Sequence, residues 1–128
     1  MARNDVDTAD MAGMADMADM DRRVCHAVGD GGAALDTRTE FRFRQAGDMV
    51  WGRYSGGRIR MGFFVGTSDG RTVAVAYTQL SADGATATGH SVFHIEQLGD
   101  GRVRLHATWS SDSGTGHGAG VLEEDRRP

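Results

Sequence analysis

The chain has 128 residues, 39% hydrophobic and 25% charged, the make-up of a single soluble domain able to bury roughly two-thirds of its unfolded surface. All 14 basic residues are arginine, which excludes a Schiff-base lysine, a P-loop lysine and a lysine nucleophile. The net charge of −4 is concentrated at the start, where residues 1–21 hold six Asp against Arg3, so the remainder is near neutral and gives no electrostatic case for nucleic acid.

Nineteen glycines against one proline suit strands joined by tight turns. The one cysteine, Cys25, has no internal partner and points to a reducing, cytoplasmic setting. No apolar run approaches the ~20 residues of a membrane span. The acidic start lacks the basic stretch and apolar core of a signal peptide.

Residues 1–21 are of low complexity, with Met11, Met14, Met17 and Met20 recurring every third position. Two readings stand: a solvated acidic tail, or a short helix capped near Thr8 whose methionine edge plugs one end of a barrel. Arg23–Val28 is expected as a first strand, ended by Gly29-Asp30-Gly31-Gly32, with residues 33–38 as a loop or one helical turn. From Glu40 the alternation is regular, and Phe41 and Phe43 share a face. Gln45–Asp48 turns the chain, with Ala46-Gly47 at the corner pairing Phe43 with Val50. Val50–Ser55 returns. Gly56-Gly57 is expected as a two-residue hairpin turn, setting Tyr54 against Ile59, Gly52 against Met61 and Val50 against Phe63.

Three-residue connections then recur at Ser68-Asp69-Gly70, Ala82-Asp83-Gly84 and Gly99-Asp100-Gly101. With glycine in the left-handed position, partner numbers around each turn sum to an even value. Gly70 then pairs Val65 with Val73 and Phe63 with Val75. Gly84 pairs Val73 with Phe93 and Tyr77 with Gly89, and Gly101 pairs Ile95 with Leu105 and Phe93 with Ala107. A one-residue slip would mix the faces, setting Ile95 against His106. Thr115–Glu123 is a last, glycine-rich strand. The prediction is all-β: an eight-stranded antiparallel up-and-down meander over residues 22–124, closing into a small calycin-like (lipocalin- or avidin-like) β-barrel, with residues 125–128 as a short tail.

On the inward face, Gly52, Gly89, Ser91 and Ala107 interrupt a run of aromatics. With Tyr54, Met61, Phe63, Tyr77, Phe93 and Trp109 they form the candidate ligand-binding set, a mostly apolar hollow with a few hydroxyls. The alternative is that the small residues accommodate the large ones across a filled core. On the outer face Arg42, Trp51, Arg60 and Phe64 form a candidate interface, with Arg42 opposite Trp51 and Glu40 opposite Arg53. The cross-strand pair His94–His106 with Glu96 has too few ligands for a structural zinc, and Arg104 competes for that carboxylate, so no metal site is assigned. Gly114–Gly120 lacks the spacing of a phosphate loop and reads as strand.

The run Val50-Trp51-Gly52-Arg53-Tyr54-Ser55-Gly56-Gly57-Arg58-Ile59, continuing to Gly62 and Val65-Gly66, resembles a family of small bacterial β-proteins. Its members read "VWA-x-Y-x-GG-x-I" followed by "G-x-x-x-G", and Arg102–Trp109 and Val121–Glu124 also fit. Members often carry the label N-acetylglutamate synthase. An acetyl-CoA-dependent transferase of the usual type needs a pyrophosphate loop opening a helix, which these residues do not supply. The expected function is therefore binding of a small, largely apolar molecule without a cofactor, extending to a cofactor-free cyclase or isomerase in which Tyr54 and Tyr77 donate hydrogen bonds. The alternatives are a structural module that self-associates as a homodimer through the Trp/Arg face, an acetyltransferase, and a zinc enzyme. Neither nucleic acid nor membrane is expected as a partner.

Overall fold

The computed structural model describes residues 17–28, 36–114 and 116–126. Within them the chain forms eight strands: β1 (Val24–Ala27), β2 (Glu40–Ala46), β3 (Met49–Gly56), β4 (Ile59–Ser68), β5 (Thr72–Ser81), β6 (Thr86–Gln97), β7 (Val103–Ser111) and β8 (His117–Glu124). Each pairs antiparallel with its neighbour, and β1 pairs with β8, so the sheet closes into a barrel. No described helix is long and apolar enough to cross a membrane.

The turns decide the register. Around Gly84 and Gly101, both at φ near +90°, the expected pairings are observed: Val73 with Phe93, Tyr77 with Gly89, Ile95 with Leu105 and Phe93 with Ala107. The β2–β3 turn falls two residues along in its sum, with Ala46 opposite Met49, so Phe43 meets Gly52 and Phe41 meets Tyr54. Faces are kept, but Arg42 now lies opposite Arg53 and Arg44 opposite Trp51.

The larger correction concerns β4. Gly56 pairs with Ile59, so Gly57 and Arg58 make the turn, and β4 then carries one extra residue around Arg60 against both of its neighbours. A bulge of one residue exchanges the two faces of everything beyond it. Ile59 still packs against the core, but Met61, Phe63 and Val65 turn outward and are 47%, 50% and 54% exposed, whereas Phe64 is 4% exposed. Two inward candidates, Met61 and Phe63, therefore lie outside, and Phe64, expected outside, lies inside. The Gly70 turn compensates. Asp69 Oδ1 accepts from the backbone N–H groups of Arg71 and Thr72, Ser68 meets Val73, and Phe64 meets Tyr77 rather than Phe63 meeting Val75.

Four cross-strand pairs place an aromatic side chain on a glycine: Phe64 on Gly52, Tyr54 on Gly62, Tyr77 on Gly89 and Trp109 on Gly118. A Cβ on any of these glycines would collide with the facing ring or hydroxyl. Phe41 stacks on Tyr54 at 4.9 Å, and Phe43 meets Phe64 at 5.0 Å and Phe93 at 5.8 Å, a continuous aromatic core.

Residues 17–22 pack over the end of the barrel that carries the β2–β3, β4–β5 and β6–β7 turns. Ala18 N–H donates to the Gly70 carbonyl at 2.9 Å, Arg22 N–H to Phe43 at 2.8 Å and Met20 N–H to Gln45 Oε1 at 2.8 Å, and the Met20 side chain is fully buried. Met20 thus seals this end, residues 17–22 form no helix, and Met17 contacts Gly70. Met11 and Met14 lie outside the described residues. At the seam, Arg23 Nη1 donates to the buried Glu124 carboxylate at 2.5 Å, and that carboxylate also accepts from Val103 N–H at 3.1 Å.

The bulge gives a direct test. Phe64→Ala should cost about 3–5 kcal/mol as a core cavity, while Phe63→Ala should change stability by less than about 0.5 kcal/mol, both read by urea denaturation of dilute protein. Equal effects, or the reverse order, would refute the β4 register.

Candidate functional site

Opposite the plugged end, the described residues leave the barrel open between Asp36–Thr39 and the turns at Gly57, Asp83 and Asp112. A cavity of about 150 Å³ descends from there. Its deeper walls are Phe41, Phe64, Val75, Phe93, Ala107 and Leu122, its upper walls Tyr54, Tyr77, Gln79, Ser91 and Trp109, and its mouth Asp36, Thr39, Arg58 and Ile59. The hollow follows from the ring-on-glycine pairs: a ring lying along the wall fills the space above a glycine instead of crossing the lumen.

The structure brings together Tyr54, Tyr77, Ser91, Phe93, Ala107 and Trp109 of the expected set. Gly52 and Gly89 face inward but are covered by Phe64 and Tyr77, and so shape the wall without lining the cavity. Met61 and Phe63 are outside it. Arg42 and Arg60 are exposed on the outer face and Trp51 is half-buried. Sequence reasoning missed Gln79, two residues beyond Tyr77 on the same face, and Thr39 and Asp36, which come from a connection with no strand periodicity.

The polar groups are arranged as fixed donors and acceptors. Tyr54 O–H donates to Gln79 Oε1 at 2.8 Å, Ser91 O–H to the Thr108 carbonyl at 2.8 Å, and Thr39 O–H to the Gly56 carbonyl at 2.9 Å. Tyr77 O–H reaches the Ser110 carbonyl only at 3.4 Å, which leaves it the least committed hydroxyl. Burial raises the Tyr54 phenol above its ordinary range, with Tyr77 adding to it, and burial likewise raises Tyr77, helped by the Asp112 charge. Both stay protonated through neutral pH. At the mouth, the Arg38 guanidinium holds the Asp36 carboxyl well below the usual range, so it is a fixed anion.

The outer-face histidines share no common site: His106 meets Glu96 at 2.9 Å, Arg104 joins Glu96 to Glu123, and His94 faces the Thr72 hydroxyl at 3.4 Å. At the seam His26, Glu40 and Asp125 bring one ligand atom each within 4.8 Å of one another. The nearest pairing is His26 Nδ1 with Asp125 at 2.7 Å, while Glu40 is held by Arg42 at 2.5 Å, so the carboxylates already have partners.

A closed eight-stranded antiparallel barrel with one plugged end and an apolar, hydroxyl-edged hollow at the other is a calycin-type architecture. The family model described as avidin-like protein matches residues 18–125, and the chain belongs to that family. No curated protein and no solved structure matches it significantly.

The buried phenol and thiol set the alkaline limit of the barrel. Burial, reinforced by the Glu124 and Asp125 charges, pushes the Cys25 thiol up to about 12. A pKa raised by folding contributes stability that is complete below the unfolded value and is lost as pH climbs towards the folded one. Stability should therefore be flat to about pH 8 and fall above it as first the unfolded thiol and then the unfolded phenol ionise. Cys25→Ala combined with Tyr54→Phe should flatten that fall; an unchanged alkaline limb in chemical denaturation would disprove the assignment.

Proposed function

We propose that the chain binds one small, largely apolar molecule in the hollow beneath Tyr54, Tyr77 and Trp109. The observation that carries this reading is a cavity of about 150 Å³, open at one end and walled by Phe41, Phe64, Phe93 and Val75. Avidin-like barrels typically bind small molecules, which supports it. An apolar cavity of roughly this volume takes up benzene, whereas drug-sized ligands occupy about 300–1,000 Å³. The occupant is thus a single ring or a short branched chain, with any further part projecting through the mouth lined by Asp36, Thr39, Arg58 and Ile59. Tyr77 O–H is the donor best placed to meet a polar atom on it, because its present bond is long.

A cofactor-free cyclase or isomerase would use the same hollow with both tyrosines as donors. The commitment of Tyr54 O–H to Gln79 and the raised phenols, which hold their protons, favour binding over proton transfer.

Thermal denaturation against monocyclic and bicyclic aromatics, with p-cresol and indole as first probes, tests the reading. A ligand at about 100 times its Kd should raise Tm by roughly 10 °C. Ala107→Leu, which adds bulk to the wall, should remove the shift while the barrel still folds. Absence of any shift across the panel, or shifts that survive Ala107→Leu, would refute it.

A further inference from the structure

The β4 bulge creates an apolar stripe on the outside of the barrel. Met61, Phe63 and Val65 stand outward on β4, each about half exposed. The outward positions of β5 beside them are Ala74, Ala76, Thr78 and Leu80, none charged. A sheet face meant for water alternates apolar-in with polar-out, and contiguous apolar surface of this kind marks an interaction site. With Met61 and Phe63 facing inward no such stripe exists and no membrane partner is expected; the observed register removes that premise.

The neighbours of the stripe indicate what covers it. Two ladder rows cross the outside of β2, β3 and β4: Arg44, Trp51, Val65 and Arg42, Arg53, Phe63. Each runs from charge to a bare apolar side chain, and in the first the half-buried Trp51 stands between them. That is the order of groups met on passing from lipid headgroups to acyl chains, with tryptophan at the boundary. Two strand spacings span about 10 Å, and interfacial elements sink about 5–10 Å into the same zone. The charge on this border is of one sign and partly unspent. Glu40 and Asp21 hold Arg42 and Arg44, whereas Arg53 and Arg60 are exposed and have no ion-pair partner among the described residues. Arg42 lies directly opposite Arg53, a like-charge pairing that an anion lying over it relieves. On the far flank β6 presents Thr88 and His90, both joined to Asp112, so the stripe has a polar border on each side. We propose that this face rests on an anionic lipid bilayer, with the side chains of β4 and β5 at the acyl boundary and the arginines of β2 and β3 among the headgroups.

Vesicle co-sedimentation of the full chain tests it. Vesicles of phosphatidylcholine and phosphatidylserine, in a ratio of roughly 7:3, should carry the protein down, and less of it as salt is raised. Phe63→Ser should weaken that partition about tenfold. Arg53→Gln should weaken it about fivefold on the mixed vesicles and leave any binding to pure phosphatidylcholine unchanged. The circular dichroism of both variants should match the parent, since both side chains stand outside the core. A parent chain left in the supernatant by the mixed vesicles overturns the proposal, as does binding indifferent to Phe63→Ser or equal binding to pure phosphatidylcholine. A dimer in sedimentation velocity that ignores the vesicles overturns it too and assigns the stripe to a second copy.

Discussion

The structure depends on rings laid across glycines. Phe64 on Gly52 and Tyr54 on Gly62 are reciprocal: each of β3 and β4 supplies one ring and one gap, so the pair locks these strands in a single register. A shift by one residue would set Tyr54 against Met61 or Phe63 in place of Gly62 and turn Gly62 and Gly66 towards solvent. Phe64 then joins Phe43 and Phe93, which ties the hairpin to both sides of the barrel. Because the rings lie along the wall, the core is well packed at the plugged end and leaves room at the other. Packing and hollow thus have one cause.

Most of the architecture was legible in the residues. Strand alternation and the recurrent Asp-Gly turns located the eight strands, and parity around Gly84 and Gly101 returned the observed pairs across β5, β6 and β7. The first half resisted because β4 is apolar on both faces. Met61, Phe63 and Val65 look as core-like as Gly62, Phe64 and Gly66, so hydrophobic matching had no power to detect an extra residue at Arg60. Gly56-Gly57 misled for a related reason. Two adjacent glycines with positive φ suit a two-residue turn, but here Gly56, at φ +112°, ends β3 while Gly57 turns.

The candidate site was legible to the extent that it is strand-borne. Tyr77, Ser91, Phe93, Ala107 and Trp109 came from strands whose register was sound. Of the small inward residues, Ser91 and Ala107 line the cavity, while Gly52 and Gly89 make room for rings. Thr39 and Asp36 were invisible because no periodicity governs a connection, and position in space is set there by bonds such as Thr39 O–H to Gly56.

The packing of residues 17–22 over one end has a kinetic meaning. With Met20 sealed beneath the turns, the described residues leave one end of the barrel open, and the guest proposed above would enter and leave by that end. A barrier at that end that touches no part of the bound guest would raise or lower arrival and departure together and leave affinity alone. Groups along the cavity wall, which would touch the guest, would act mainly on departure, so affinity and exchange rate would answer to different residues.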